Sequence, residues 1–83
     1  MNSYYNRNSG IRGYSFGATY ITIRFKTGRT YTYSYSSCSV VDVENMKMLA
    51  LAQSGLNSYI NVFRPRYEGQ ERAYPSDDSS YSV

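Results

Sequence analysis

Hydrophobic and polar positions are most ordered in the middle of the chain. Tyr20-Ile21-Thr22-Ile23-Arg24-Phe25-Lys26 alternates with period two, which places Ile21, Ile23 and Phe25 on one face of a strand. After Thr27-Gly28 the alternation resumes as Thr30-Tyr31-Thr32-Tyr33-Ser34-Tyr35, with its tyrosines on one face. Two alternating runs around a glycine turn predict a β-hairpin. A two-residue loop at Thr27-Gly28 would set the tyrosines opposite the polar row. A three-residue loop, Lys26-Thr27-Gly28 with Gly28 left-handed, pairs Ile23 with Tyr31 and Ile21 with Tyr33. The second register gathers the large apolar groups on one face, and burial selects register. Thr22, Arg24, Thr30, Thr32 and Ser34 then form the opposite face, expected to be polar, flat and basic.

Ile11 to Ser15 reads as a further short strand, with Phe16-Gly17 as a turn. Ser36 to Ser39 reads as a loop. Ser39-Val40-Val41-Asp42 has the spacing of a capping box, although Asp42 could itself be the N-cap. A helix is predicted from about Val41 to Ser54, with Asp42 and Glu44 in its first turn and Gly55 as its stop. Val43, Met46, Leu49, Ala50 and Gln53 line one stripe. Met48, Leu51 and Ala52 widen it beyond one packing face, so the helix is either nearly engulfed or meets a partner there. Leu56 to Val62 predicts a second helix, with Leu56, Tyr59, Ile60 and Phe63 inward, ended by Arg64-Pro65-Arg66-Tyr67. The predicted core is Ile21, Ile23, Phe25, Tyr31, Tyr33, Val43, Met46, Leu49 and Ile60.

These elements predict an α+β fold: a small three-stranded antiparallel sheet with two helices packed on one face. Residues 1–10 lack aliphatic residues after Met1 and read as a flexible head, residues 11–67 as the domain, and residues 68–83 as a disordered acidic tail. The opening ten residues also lack the apolar run of a signal peptide, and no run is long enough for a membrane span. The expected compartment is the cytoplasm.

Composition narrows the chemistry. A chain of 83 residues supports one small domain with a thin core. Cys38 is the single cysteine and histidine is absent, so neither an internal disulfide nor the common zinc-ligand sets can form. No basic residue lies closer to Cys38 in sequence than Lys47, nine positions away, and a small, half-buried, unreactive thiol is expected. Asp42 and Glu44 are the only acids before residue 68, and their helix-start positions account for both. No phosphate-cradling glycine motif occurs. The chain is therefore read as non-enzymatic, with no cofactor and no metal.

Charge points to binding. Residues 1–67 carry eight basic and two acidic side chains, a net of +6. Residues 68–83 carry Arg72 against Glu68, Glu71, Asp77 and Asp78, a net of −3. Seven of the nine basic residues are arginine and eleven residues are tyrosine, types that stack and recognise anionic groups. Arg24, Lys26 and Arg29 cluster on or beside the open sheet face as candidate phosphate contacts, with Arg64 and Arg66 flanking the second helix. Arg7 and Arg12 add to this set, and Tyr20 or Tyr67 is available for stacking. The plain alternative is that these arginines form a solvated surface and most tyrosines serve the sheet, where their β propensity is high.

Several of these segments, taken in order, resemble the KTSC domain, a small family named for its occurrence at the C-terminus of some lysyl-tRNA synthetases. They are Ile11-Arg12-Gly13-Tyr14, Ile21 through Gly28, Tyr31-Thr32-Tyr33, Ser54-Gly55, Tyr59-Ile60-Asn61 and Arg64 to Tyr67. The resemblance spans roughly residues 11–67. It implies a stand-alone bacterial or phage domain with RNA binding as its role and no catalytic residues. The long head, the acidic tail and the longer stretch Ser34 to Ser39 depart from that pattern and suit a mobile-element protein that blocks a host factor. Two partner classes follow: RNA at the basic face, or a host defence protein inhibited by direct binding, with a sequestered nucleotide signal as a third ligand. Met48 and Leu51 are the candidate protein interface, for such a partner or for a homodimer.

Overall fold

The computed structural model describes residues 1–6 and 9–71. Arg7 and the tail beyond Glu71, including Arg72, Asp77 and Asp78, lie outside the described residues. The elements run β1 (Asn2–Ser3), β2 (Ile11–Phe16), β3 (Tyr20–Phe25), β4 (Thr30–Ser34), α1 (Val40–Ala52), α2 (Leu56–Phe63) and β5 (Gly69–Glu71). The strands form one antiparallel sheet in sequential order, β1-β2-β3-β4-β5, and the helices cover one face of it. The α+β architecture is as expected, but the sheet is wider than three strands because β1 and β5 extend its edges.

The β3–β4 hairpin adopts the register that burial selects: Ile21 opposes Tyr33 and Ile23 opposes Tyr31. Its three-residue turn closes with the Gly28 N–H donating to the Phe25 carbonyl at 2.9 Å, and Gly28 takes φ 98°, where a side chain would be strained. β2 follows a less regular rule. Ile11 pairs with Phe25 but Gly13 pairs with Arg24, so a bulge at Arg12 inserts one residue. The bulge brings Ile11 and Tyr14, three apart in sequence, into the same core.

Ser39 is the N-cap of α1, accepting the Asp42 N–H on Oγ at 3.0 Å. The helix ends at Gln53, a non-glycine residue in the left-handed conformation (φ 60°). The Gln53 side chain explains why glycine does not serve here. Its Nε2 donates to the Ser3 carbonyl at 3.2 Å, its Oε1 accepts the Tyr5 N–H, and its backbone carbonyl accepts Asn6 Nδ2 at 3.2 Å. Gly55, expected to stop α1, instead starts α2 as its N-cap at φ 85°.

These contacts correct the expectation of a flexible head. Asn2 and Ser3 pair with Tyr14 and Gly13, and the Tyr4 N–H donates to the Arg12 carbonyl at 2.9 Å. Tyr4 is buried edge-on against Tyr14, and its hydroxyl accepts the Leu56 N–H at 3.4 Å, at the start of α2. Gly13 permits this approach, since a Cβ there would stand 2.8 Å from the Asn2 carbonyl oxygen. At the other end, β5 pairs with β4 through residues 69–71, where a disordered tail was expected to begin.

Of the predicted core, Ile21, Ile23, Tyr33, Val43 and Met46 are fully enclosed, while Phe25, Tyr31, Leu49 and Ile60 pack half-buried at its margin. Tyr4, Ile11, Tyr14, Ala50 and Leu56 complete it. Each enclosed aliphatic side chain contributes about 1.5–3 kcal/mol relative to exposure, and it is these layers that hold the surface residues in place.

Candidate functional site

The predicted cationic site residues fall into two groups. Arg24, Lys26 and Arg29 gather at the turn end of the β3–β4 hairpin, and all three are exposed. Arg24 stands between Gly13 and Thr30 across the open sheet face. Lys26 and Arg29 belong to the turn: the Lys26 N–H donates to the Gly10 carbonyl at 2.8 Å, and the Arg29 carbonyl accepts the Phe25 N–H at 2.9 Å.

The open face itself differs from the flat, basic surface expected. Its strand positions in β3 and β4 carry one cation, Arg24, and hydroxyls dominate the rest. The Thr22 and Thr32 hydroxyls lie 2.9 Å apart, while Thr30 and Ser34 are buried. Ser34 is covered by the loop that follows it, whose Ser37 hydroxyl accepts the Ser34 N–H at 3.0 Å and whose Cys38 N–H donates to the Ser34 carbonyl at 3.0 Å. Tyr20 lies on this face at the end away from the turn, with its ring folded over Gly17. It borders an open hollow of about 490 Å³ shared with Thr22, Thr32, Tyr35 and Glu68.

Arg64, Arg66 and Tyr67 assemble on the other side of β4. The chain leaves α2 through Arg64, a left-handed C-cap (φ 48°, ψ 56°) whose N–H donates to the Ile60 carbonyl at 2.9 Å. Pro65 is buried. The Arg66 carbonyl then accepts the Ser37 hydroxyl at 2.7 Å, and the Glu68 N–H donates to the Thr32 carbonyl at 2.7 Å. Thus pinned, the segment lays Tyr67 on Tyr31, ring centroids 4.6 Å apart and 24° from parallel, and edge-on to Tyr33 at 6.2 Å. A groove of about 440 Å³ runs along this stack, lined by Tyr31, Tyr67, Asn61, Arg64 and Arg66 among others. Tyr31 and Asn61 were not among the predicted site residues. The alternation in β4 assigns Tyr31 to the core, and it is in fact half core, half groove wall.

The acids near the start of α1 are engaged elsewhere. The Tyr59 hydroxyl donates to Asp42 at 2.6 Å and the Tyr35 hydroxyl donates to Glu44 at 2.6 Å, while Lys47 pairs with Glu44 at 3.0 Å. The Tyr35 and Lys47 hydrogen bonds hold the Glu44 carboxyl below its ordinary pKa. The Tyr35 hydroxyl is pushed up by the same bond, and Tyr59 is pushed up chiefly by burial and then by Asp42. These contacts add to the helix-start role inferred from sequence. Burial also raises the Cys38 thiol above its usual range, and its Sγ donates to the Ser34 carbonyl at 3.4 Å, as an unreactive cysteine would.

Met48 and Leu51 are 63% and 62% exposed, and Val41 beside them on α1 is 66% exposed. The alternative of an engulfed helix is therefore overturned: α1 buries Val43, Met46 and Ala50 and presents a second apolar stripe to solvent. Among the described residues, no helix is long and apolar enough to cross a membrane.

Comparison with known families, curated proteins and solved structures returns no match for this chain.

Proposed function

We propose that this chain is a non-catalytic nucleic-acid-binding module whose ligand is single-stranded RNA. The observation that carries the reading is the Tyr67–Tyr31 stack beside Arg64 and Arg66, with Tyr67 42% exposed. Aromatic rings that accept bases, beside guanidiniums that accept phosphates, are the equipment of single-strand sites. Arg12, Arg24, Lys26 and Arg29 are exposed as well and extend the cationic surface toward the hairpin turn. Asp42 and Glu44 are bonded to Tyr59 and Tyr35 and do not line the groove beside Tyr67. The resemblance to the KTSC domain points the same way. Fluorescence anisotropy with labelled single-stranded RNA, single-stranded DNA and duplex RNA tests it. Affinity for the single strand should fall steeply between about 50 and 200 mM salt as counterion release weakens. No single-strand binding at low salt would overturn the reading.

The exposed stripe of Val41, Met48 and Leu51 favours a second reading, a protein partner. That partner is a second copy of the chain or, for a mobile-element inhibitor, a host protein. Sedimentation of the purified protein separates self-association from a monomer. Pull-down with and without nuclease separates protein capture from capture through RNA.

A further inference from the structure

The groove beside Tyr67 carries a more specific assignment, which rests on the nucleic-acid reading. We propose that it is a subsite for one nucleotide unit. A nucleobase lies against the Tyr67–Tyr31 stack, and the attached phosphate is held by Arg64 and Arg66. The occupant is either a nucleotide within a strand or a free nucleotide, since the two share base and phosphate.

Four features of the groove support this occupant. Its volume of about 440 Å³ lies within the ~300–1,000 Å³ typical of small-ligand sites. Two tyrosines and two arginines border the same space, so one ligand with a planar apolar part and an anionic part suits both residue types. The frame is preorganised, because the Ser37 hydroxyl bond to Arg66 and the Glu68 N–H bond to Thr32 fix the backbone on either side of Tyr67. Asn61, on the last turn of α2, adds an amide donor and acceptor suited to a base edge.

Arg64 serves both the helix end and the groove. Its backbone is left-handed at the end of α2, and its Nε donates to the Asn61 carbonyl of the last turn at 3.5 Å. That bond uses one of the five guanidinium donors, and the exposed side chain keeps the others for an anionic ligand.

The test uses the full chain, a labelled RNA of about eight nucleotides, and AMP and ribose 5-phosphate as competitors. Tyr67→Leu should weaken RNA binding about tenfold without changing its salt dependence, since stacking releases no counterions. Tyr67→Phe should stay within about twofold, because it keeps the ring. Arg66→Gln should weaken binding and lower the salt slope by about one, as loss of a phosphate contact does. A purely structural role for Arg66 would not move that slope, and thermal melts establish that each variant is folded. AMP should compete better than ribose 5-phosphate; equal competition would overturn the stacked base.

The outcomes separate the two claims. RNA binding that survives Tyr67→Leu and Arg66→Gln but is lost in Arg24→Gln with Lys26→Gln overturns the subsite and keeps the nucleic-acid reading. AMP binding sensitive to Tyr67→Leu, with no RNA binding, overturns that reading and keeps the subsite for a free nucleotide. Binding of neither probe overturns both. If Tyr67→Leu fails to fold, Tyr67→Phe and the Arg66→Gln slope decide the matter.

Discussion

On the helix side of β4, Tyr31 and Tyr33 meet Tyr67 in a stack bordered by Arg64 and Arg66. On the other side, displaced by one residue, Thr32 and Ser34 meet Tyr20 and Glu68 in a hollow of hydroxyls with one carboxylate. The segment that crosses the edge of β4 repeats the alternation, sending Tyr67 to the groove and Glu68 to the hollow. One strand thus separates a cationic aromatic surface from an anionic hydroxylated one. The proposed function assigns phosphate contacts chiefly to the first of these, whereas sequence alone placed the main contacts, Arg24, Lys26 and Arg29, on or beside the second. Five basic residues do not make five equivalent contacts. The proposed function distinguishes them by which share a space with exposed rings.

The most damaging way to break this comparison is to remove the layer that supports both sides. Ile23 is fully buried opposite Tyr31, and Ile23→Ala should cost about 2–4 kcal/mol in chemical denaturation. Unchanged stability would mean that the sheet faces are assigned backwards.

Alkaline pH should act next, and through the helix side. Burial raises the Tyr33 hydroxyl well above its ordinary value of 10.0, followed by the influence of Tyr31 and Tyr67. Above about pH 10 the unfolded chain loses this proton before the folded one does. Stability is therefore complete below that pH and falls as pH rises toward the raised folded value. A denaturation series should show this fall, and Tyr33→Phe should make it shallower, with the raised Tyr35 and Tyr59 hydroxyls supplying the remainder. An equal slope in the variant would place the titration elsewhere.

Opposite charges on the two sides make the comparison sharper. Arg66→Glu should weaken single-stranded RNA binding by about tenfold or more, whereas Glu68→Lys should strengthen it only a few-fold by anisotropy. Glu68→Lys producing the larger change would shift the nucleic-acid path to the hollow. The smallest effect is expected far from both: Met48→Ser on the exposed stripe of α1 should alter stability by less than about 0.5 kcal/mol. The same variant should lower any self-association seen by sedimentation, and an unchanged assembly would exclude Met48 from the contact.

Local rules made the hairpin and both helices legible. Alternation around Gly28 specified the pairing of Ile21 with Tyr33 and Ile23 with Tyr31, and Ser39 supplied the spacing for the start of α1. Such features involve residues close in the chain, where propensity and burial agree. The head escaped that reading because Tyr4 is held by Tyr14 and Leu56, and Ser3 and Tyr5 by Gln53, all distant in the chain, and polar composition conceals one well-placed ring. The bulge at Arg12 breaks the period on which strand patterns depend. Gly55 has the residue type of a helix stop, yet contacts made by Gln53 gave that position to Gln53 and left Gly55 to begin α2.

The groove lies furthest from what sequence could determined alone. Residue types pointed to arginine and tyrosine as the recognition chemistry and named Arg64, Arg66 and Tyr67 as members of it. Their union with Tyr31 was decided only in three dimensions. The left-handed turn at Arg64, the buried Pro65 and the bond from Ser37 direct the chain back over β4. Periodicity describes the two sides of a single strand, but a wall built from distant segments depends on the path of the chain between them.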